Sequence, residues 1–315
     1  MDELMVTPVR IAVLMTSHNR RSTTLQALAA LWSQTFSEDV RLTVYLVDDG
    51  STDGTAEAVR VRYPQVQVLA GTGTLFWNGG MRAAFAAAAR QPYDYHLWLN
   101  DDTILSQSAL ETLLETARTL QVRGFADATI SGATRDPRSQ VLVSGGFRQR
   151  WPKFLLRFGL LEPMAEARQC DTISGNCVLV PRAIYQKVGN FNAAFTHFLG
   201  DLDYGFRAKQ LGYSVWLAPG YAGTSPQHHE RGNEIDAIER FSTLVQKLRH
   251  PKGLSYGNDL QHRFLPVGEW TRFLQDHGGI LWPIPWLLTY RKLLSLTVGR
   301  WLWKWRAKLT PQSHL

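Results

Sequence analysis

The stretch LTVYLVDDGSTD, residues 42–53, is the part of the sequence that most clearly decides the fold. Leu42–Val47 is an uncharged, mostly apolar run, and turn-forming residues follow it directly from Asp48 to Asp53. Such a run bounded by Asp, Gly and Ser predicts a strand buried on both faces of a parallel sheet. Turn and helix-capping chemistry alone would also explain the polar half of the stretch.

Apolar runs alternate with helical patterns on either side of this stretch. The predicted strands are Val9–Met15, Leu42–Val47, Val66–Ala70, His96–Leu99, Ala128–Ser131, Val141–Val143, Val178–Val180 and Val215–Leu217, and the predicted helices are Ser22–Ser33, Thr55–Tyr63, Gly80–Arg90, Ser106–Leu120 and Asp201–Leu211. The alternation predicts an α/β fold, with a mostly parallel sheet and helices on both of its faces. Such sheets bind ligands in the crevice at the carboxyl ends of their strands.

Polar clusters directly follow three of the predicted strands, at Thr16–Arg20, Asp48–Asp53 and Asn100–Thr103. The carboxyl ends of parallel strands meet at one edge of a sheet, so we expect these clusters to lie close together. Carboxylates at such an edge suit a hard divalent cation, which can neutralise a diphosphate. Turn and helix-capping chemistry is the alternative for Asp48–Asp53 taken alone, and helix capping for Asn100–Asp102 taken alone, whereas the three clusters together favour a binding site.

Five blocks of the chain, between about Val9 and Tyr221, resemble the motifs of family-2 glycosyltransferases with the GT-A fold. Thr16–Arg20 resembles the opening motif, Val47–Asp53 the nucleotide-binding turn, Asn78–Arg82 the Asn/Gly-rich stretch, Leu99–Asp102 the Asp-x-Asp metal motif and Gly200–Arg207 the acidic acceptor-side motif. Two positions depart from the family pattern. Asn100 stands in the first acidic place of the metal motif, where it would be a neutral ligand. Gly200 stands where the first of two customary acidic residues is found.

The resemblance implies an inverting glycosyltransferase that moves a sugar from a nucleotide diphosphate sugar to a hydroxyl of a glycan or a lipid-linked glycan. The reaction would be a single displacement assisted by Mg²⁺ or Mn²⁺. Asp201 is the expected general base, because a sugar hydroxyl is a poor nucleophile until its proton is taken. A helix N-cap role competes for Asp201, and Asp203 is the rival base, with loop support as its alternative role.

The resemblance also implies which residues contact each ligand. Asp48 would accept a hydrogen bond from the nucleotide base, with an Asx turn as the alternative, and Arg82 would pair with a phosphate unless it is solvated. Donor contacts are implied for Thr16, Asn19, Arg20, Asp48, Asp49, Ser51, Asn78, Gly79, Arg82 and Asp101; metal contacts for Asp102 and for His228 or His229; and acceptor-side contacts for Gly175, Asn176 and Asp203. For the two histidines a solvated loop, and for Gly175 a plain turn, are the alternatives.

We predict a catalytic domain at residues 1–225, with a nucleotide-sugar half to about 123 and an acceptor half from about 124, and a helical region at 226–315. Residues 277–315 contain no Asp or Glu. They hold the basic residues Arg291, Lys292, Arg300, Lys304, Arg306 and Lys308 and the tryptophans Trp282, Trp286, Trp301, Trp303 and Trp305. Basic and aromatic residues together favour contact with an anionic membrane surface. Packing on the catalytic domain, or on a second subunit of a homo-oligomer, is the alternative.

Composition and missing motifs exclude several other classes. The net charge is +7, but no nucleic-acid recognition motif accompanies it. Two cysteines cannot form a disulfide scaffold, and no secretory signal or spanning segment is predicted, so we expect a cytoplasmic protein, peripheral at the inner face of the plasma membrane. A Gly-x-Gly-x-x-Gly dehydrogenase fingerprint and the Gln-x-x-Arg-Trp motif of processive synthases are both missing. A non-catalytic nucleotide-sugar-binding or scaffold protein of the same fold is the alternative function.

Overall fold

The computed structural model describes residues 7–125, 127–227 and 267–290, together with the backbone of 254–255 and 263–264. Contacts divide the chain into two compact units. The first comprises Met1–Gln149 and Phe158–Arg231, and the second comprises Arg150–Arg157 and Gly232–Leu315. The predicted domain boundary after residue 225, and the two predicted halves of the catalytic domain, stay predictions.

The first unit is built of strands and helices in the predicted alternation. Its strands are β1 Val9–Ser17, β2 Val40–Asp48, β3 Gln67–Ala70, β4 Tyr95–Leu99, β5 Ile104–Leu105, β6 Ala128–Arg135, β7 Leu142–Ser144, β8 Gly146–Gln149, β9 Phe158–Leu160, β10 Arg168–Gln169, β11 Thr172–Ile173, β12 Cys177–Pro181 and β13 Ser214–Thr224. Its helices are α1 Arg21–Trp32, α2 Thr55–Arg62, α3 Phe76–Ala88, α4 Ala109–Val122, α5 Arg182–Val188 and α6 Gly200–Gln210.

The main sheet runs in the order β10-β13-β6-β12-β4-β1-β2-β3, with β5 beside β13 and β7 beside β6. Strands β3, β2, β1 and β4 are mutually parallel, and β6 is parallel to β13. Strand β12 runs antiparallel to both of its neighbours, β4 and β6. The predicted mostly parallel sheet is confirmed. Because β12 is antiparallel to β4, its first residue, Cys177, lies beside Leu99, the last residue of β4.

The side chains of β1 show why the sheet is buried on both faces. Ile11, Val13 and Met15 pack in one core cluster with Leu28 and Leu31 of α1. The alternate residues of β1 pack in a second cluster with apolar residues of α3. Because successive strand residues point to opposite faces, a continuous apolar run is what a sheet covered by helices on both sides requires.

The second unit contains the 3₁₀ turn Lys153–Leu155, the helix α7 Val267–His277, the 3₁₀ turn Gly279–Leu281 and a helical segment at 283–290. Trp286 Nε1 donates to Thr271 Oγ1 at 2.8 Å, and Trp270 Nε1 to Thr289 Oγ1 at 3.3 Å, so the two helical segments contact each other. In the described parts of the chain, no helix combines the length and the hydropathy needed to cross a bilayer.

The predicted C-terminal helices are present as α7 and the helical segment at 283–290, and a short pair of strands precedes them in the sequence. Strand β14 Leu254–Ser255 pairs antiparallel with β15 Arg263–Phe264. Pro251, Gly253, Gly257 and Pro266 surround these strands in the sequence, and proline and glycine are the residues that helices tolerate least. Residues 291–315, on which the membrane prediction depends, lie outside the described residues.

Candidate functional site

The predicted site residues meet at the edge of the sheet where β1, β2 and β4 end. Ser17, the last residue of β1, pairs with Asp48, the last residue of β2. On the other side, Leu99 at the end of β4 pairs with Cys177 at the start of the antiparallel strand β12. The acceptor-side loop is therefore joined to the carboxylate loop, and the N–H of Asn100 donates to the carbonyl of Asn176 at 3.0 Å.

Asp101 and Asp102 form a buried carboxylate pair, and Arg20 bridges them. Nη1 of Arg20 lies 3.1 Å from Asp101 Oδ1 and 2.5 Å from Asp102 Oδ2. Both carboxylates are nearly inaccessible, and burial raises the pKa of Asp101 to about 6 in spite of the neighbouring guanidinium. Two such groups without a cation would repel each other in a medium of low dielectric.

The position of Arg20 shows that one cation can contact both carboxylates, and oxygen ligands of this kind suit Mg²⁺ or Mn²⁺. The pair therefore fits a divalent ion, which would take the place of this guanidinium. Among the described residues, no group of three or more His, Cys, Asp or Glu side chains could hold a metal. The predicted third ligands, His228 and His229, lie outside the described residues.

Asn100 has a different role from the one expected of a neutral metal ligand. Its side-chain oxygen accepts a hydrogen bond of 2.7 Å from the indole Nε1 of Trp77. The departure from the Asp-x-Asp pattern therefore serves a contact with α3 in this structure. Because an amide oxygen accepts an N–H without carrying a charge, asparagine meets this need and adds no third negative charge beside Asp101 and Asp102.

The two acidic residues that follow β2 differ in their contacts. Asp49 is buried and accepts the backbone N–H of Gly73 at 2.7 Å on one oxygen and that of Phe76 at 3.0 Å on the other. Asp49 thus fixes the loop that leads into α3. Asp48 accepts the N–H of Ser51 at 3.3 Å, a long hydrogen bond that forms the anticipated turn. A donor contact stays a prediction for both residues.

The loops after β1 and β2 hold each other through Asn19 and Ser51. The backbone N–H of Asn19 donates to Ser51 Oγ at 2.9 Å, and the N–H of Thr52 donates to Asn19 Oδ1 at 2.7 Å. Asn19 has a φ of 52°, a conformation that asparagine tolerates better than most residues. These contacts account for both residues structurally, and their donor contacts stay predictions.

Two predicted donor residues of α3, Asn78 and Arg82, bind the loop at residues 191–195. Asn78 is fully buried, and its Nδ2 donates to the carbonyls of Asn192 at 2.9 Å and Phe195 at 2.5 Å. Burial of this side chain argues against the donor contact predicted for it. Arg82 Nε donates to the carbonyl of Phe191 at 3.2 Å, so part of this guanidinium contacts protein, and its pairing with a phosphate stays a prediction.

The remaining predicted donor residues on this side are accounted for by packing. The side chain of Thr16 occupies the space above Gly80, where any Cβ would overlap its hydroxyl. Gly79 lies against Leu75, and a Cβ at position 79 would come within 3.1 Å of the Leu75 Cβ. Close packing of α3 on β1 therefore requires glycine at position 80, and the donor contacts of Thr16 and Gly79 stay predictions.

Asp201 lies in the first turn of α6, which begins at Gly200, and Leu199 occupies the N-cap. The N-cap interpretation of Asp201 is therefore wrong. Asp201 is partly exposed, and its Oδ2 accepts the backbone N–H of Gly175 at 2.8 Å, while Oδ1 accepts its neighbour's N–H at 2.8 Å. The predicted base and the predicted acceptor-side loop are thus in direct contact.

Asp203 is placed quite differently, although it lies only two residues further along α6. It is 1% exposed, and its Oδ2 accepts from Arg207 Nε at 2.7 Å. The same guanidinium donates to the carbonyls of Val188 at 2.9 Å and Asn190 at 3.1 Å. These contacts favour loop support over catalysis for Asp203.

Trp77, which contacts both halves of the site, is not among the residues that the sequence predicted there. Besides its bond to Asn100, the indole packs so closely on Gly175 that a Cβ there would overlap the ring. The sequence signal was an aromatic residue directly before the Asn-Gly-Gly stretch. The sequence alone does not assign Trp77 to the site, because its partners Asn100 and Gly175 are 23 and 98 positions away.

Comparisons with known proteins agree with this architecture. A family model described as "Glycosyltransferase like family 2" matches residues 8–249. Two strains of Mycobacterium tuberculosis have a protein named N-acetylglucosaminyl-diphospho-decaprenol L-rhamnosyltransferase. This chain is 28% identical to it over 214 residues, covering 60% of this chain and 67% of the relative.

Solved structures show the same fold at low sequence identity. The mannosyltransferase PcManGT of Pyrobaculum calidifontis, solved with GDP-Man and Mn²⁺, has a TM-score of 0.51 and 15% identity, covering 96% of this chain and 81% of its own. TarS of S. aureus has a TM-score of 0.50 and 12% identity, and the match covers 69% of this chain but only 37% of TarS. The chain has the GT-A fold and belongs to glycosyltransferase family 2.

Proposed function

We propose that this protein is an inverting glycosyltransferase that moves a hexosyl or deoxyhexosyl group from a nucleotide diphosphate sugar to a hydroxyl of a glycan or lipid-linked glycan. The observation that carries the proposal is the placement of Asp201. Its carboxylate is partly exposed, is oriented by two backbone N–H groups, and lies on the sheet edge that also carries the Asp101–Asp102 pair. One base beside one cation site is what a single displacement needs.

On the donor side, Asp48 accepts from the nucleotide base, and Asp101 and Asp102 would hold Mg²⁺ or Mn²⁺. When bound, the ion supplies positive charge that stabilises the leaving nucleoside diphosphate. Arg20, which contacts both carboxylates in this structure, would give way to that ion and would then be available to pair with the phosphates. A guanidinium is well suited to this second role because its fork of donors matches phosphate oxygens.

On the acceptor side, Asp201 takes the proton of the acceptor hydroxyl as its oxygen attacks the anomeric carbon. The new C–O bond forms while the bond from that carbon to the diphosphate oxygen breaks, so the configuration inverts. The N–H of Gly175 at 2.8 Å fixes one carboxylate oxygen. A positioned base of this kind typically contributes about 10²- to 10⁴-fold to the rate.

The similarity to a decaprenol-linked rhamnosyltransferase supports a lipid-linked acceptor and a deoxyhexose donor for this chain. A membrane role for the C-terminal segment is consistent with it. Residues 277–315 carry six Lys and Arg and no acidic residue, and Ile280 and Leu287 expose their apolar side chains. We propose that this segment meets an anionic membrane at its cytoplasmic face, where the lipid-linked acceptor is presented.

A panel of UDP-, GDP- and dTDP-linked hexoses and deoxyhexoses tests the proposal. Thermal shift with Mn²⁺ should single out one donor, and that donor should release its nucleoside diphosphate when an N-acetylglucosaminyl-diphospho-lipid is added. Asp102→Ala should abolish the metal-dependent part of the binding. Undiminished turnover in excess chelator would overturn the metal assignment. Binding without any transfer would favour the non-catalytic alternative.

A further inference from the structure

Trp77 connects the two chemical halves of the site. On one side, its Nε1 donates to Asn100 Oδ1 at 2.7 Å, and Asn100 directly precedes the Asp101–Asp102 pair. On the other side, its six-membered ring covers the backbone of Gly175, whose N–H holds Asp201. A Cβ built at Gly175 would lie 3.4 Å from the Cβ of Asp201, so ring and base adjoin the same glycine.

A comparison with Trp98 shows that Trp77 is not simply another core aromatic. Both indoles contact Phe191, at ring-centroid distances of 4.6 Å for Trp98 and 5.5 Å for Trp77. Trp98 is fully buried, as a core residue is, whereas part of Trp77 remains accessible. Leaving part of an aromatic ring in contact with water costs free energy, because apolar surface is more stable when it is buried.

The orientation of the ring is fixed before any ligand arrives. The hydrogen bond to Asn100 uses the indole's single donor, and the edge-to-face contact with Phe191, at an interplanar angle of 84°, supports the plane. Gly175 completes the arrangement because a side chain there would overlap the ring. A ring held in this way offers ordered apolar surface without a further entropic cost on binding.

We propose that Trp77 contacts the transferred sugar of the donor and determines which sugar is accepted. The inference rests on the proposed function, which puts the diphosphate at Asp101 and Asp102 and the anomeric carbon near Asp201. The sugar would then lie against the indole, which contacts Asn100 beside the carboxylate pair and Gly175 beside the base. Its C–H groups pack on the ring, and an epimer that turns a hydroxyl toward the ring has to desolvate that hydroxyl without a partner.

Binding of nucleotides with and without a sugar tests this role. UDP, GDP and dTDP, each alone and linked to a hexose or deoxyhexose, are titrated by calorimetry with Mn²⁺ into the parent and into Trp77→Ala. The comparison uses the nucleotide sugar that the parent binds best and the nucleoside diphosphate it contains. We expect Trp77→Ala to bind this nucleotide sugar roughly five- to tenfold more weakly than the parent does. Its affinity for the nucleoside diphosphate should stay within twofold of the parent's.

Equal losses for the nucleotide sugar and the nucleoside diphosphate would overturn the proposal, because they would mean that Trp77 only shapes the pocket. Unchanged affinity for both would overturn it as well. A parent that binds no nucleotide would instead refute the proposed function, so the two failures are distinguishable.

Trp77→Phe provides a second test that keeps an aromatic ring in the fold. In the parent, the nucleotide sugar should change tryptophan emission more than the nucleoside diphosphate does. Trp77→Phe should abolish that difference, while Trp151→Phe, which removes an indole that is 88% exposed, should preserve it. A difference that survives in Trp77→Phe at the parent's size would contradict contact between this indole and the sugar.

Discussion

Gly200, the first residue of α6, lies against the side-chain oxygen of Asn78 on α3, and a Cβ at position 200 would overlap that oxygen. Asn78 cannot withdraw easily, because its Nδ2 is bound to the carbonyls of Asn192 and Phe195. The contact explains why this chain has glycine where its family customarily has an acidic residue. It also leaves Asp201 as the acidic residue at the start of α6 that faces Gly175.

This contact predicts a strong coupling between the two positions. Gly200→Ala should lower the free energy of unfolding by roughly 1–3 kcal/mol, the usual effect of an added methyl group in a packed interior. In an Asn78→Ala background the same substitution should cost less than about 0.5 kcal/mol, since the opposing oxygen is gone. Urea unfolding of the four proteins in this cycle measures the coupling.

Gly268, in the first turn of α7, provides a matched control because a Cβ there would meet nothing within 4 Å. Gly268→Ala should be neutral or slightly stabilising, since alanine is the better helix former. Equal costs of Gly200→Ala in the two backgrounds would show that Asn78 is not the obstacle.

Substitutions of Asp48 and Asp49, at the end of β2, should have different effects, the first on donor binding and the second on the free energy of unfolding. Asp48→Ala should weaken donor binding by about 1.5–3 kcal/mol, the size of a hydrogen bond to a charged group, with little effect on the free energy of unfolding. Asp49→Ala should lower the free energy of unfolding by about 1–3 kcal/mol, because it leaves the N–H groups of Gly73 and Phe76 without their acceptor. Calorimetry of donor binding and urea unfolding test both; equal donor affinity of Asp48→Ala and the parent would limit Asp48 to shaping the turn.

His96 should make stability depend on pH. It is fully buried, its ring stacks on Tyr185 at 3.7 Å, and burial lowers its pKa from 6.5 to about 3. Between pH 6.5 and 3, His96 therefore binds a proton in the unfolded chain but not in the folded protein. The stability that neutral His96 contributes is present above pH 6.5 and is lost as the pH falls toward 3. Between pH 7.5 and 5.5 the parent should lose about 1.4 kcal/mol more than His96→Phe.

Urea unfolding at the two pH values measures this difference, and all other titrating groups are shared by the two proteins. Phenylalanine preserves the stacking ring and removes the titrating group, so the variant should show the shallower dependence. Parallel pH dependences of parent and variant would mean that His96 gains its proton without opening the fold.

The basic C-terminal segment should bind anionic vesicles in a manner that salt weakens. Each Lys or Arg near such a surface contributes about 1 kcal/mol at best, and screening reduces this at higher ionic strength. Replacing the six basic residues between Arg291 and Lys308 by Gln should abolish co-sedimentation and leave the tryptophans in place. If the parent co-sediments no more with anionic vesicles than with neutral ones, the segment serves packing or self-association instead.

The sequence predicted the central sheet because its strands are buried on both faces and read as unbroken apolar runs. It predicted β13 too short, as Val215–Leu217, because Pro219 and Gly220 interrupt the apolar pattern. The strand passes this interruption with a register shift between Leu217 and Tyr221 and continues to Thr224. A bulge of this kind depends on pairing with β6, which the local pattern does not contain.

The site was predictable where it depends on strand ends and not where it depends on distant loops. Asp101 and Asp102 follow an apolar strand, so their meeting with Asp48 at one edge could be anticipated. The burial of Asn78 could not, because its partners Asn192 and Phe195 are 114 and 117 residues away. Trp77 was missed for the same reason, since Asn100 and Gly175 give it a role only after folding.

The central claim is that Asp201 is the base, and single-turnover transfer by Asp201→Asn tests it most directly. Donor and acceptor are saturating, the donor being the nucleotide sugar that stabilises the parent most in the presence of Mn²⁺. Asparagine keeps the shape but cannot take the proton, so transfer should fall by roughly 10²-fold or more while donor affinity stays unchanged. Asp203→Asn is the control and should chiefly lower stability, because it breaks the buried pair with Arg207. Transfer by Asp201→Asn at the parent's rate, or its loss in Asp203→Asn alone, would contradict the account.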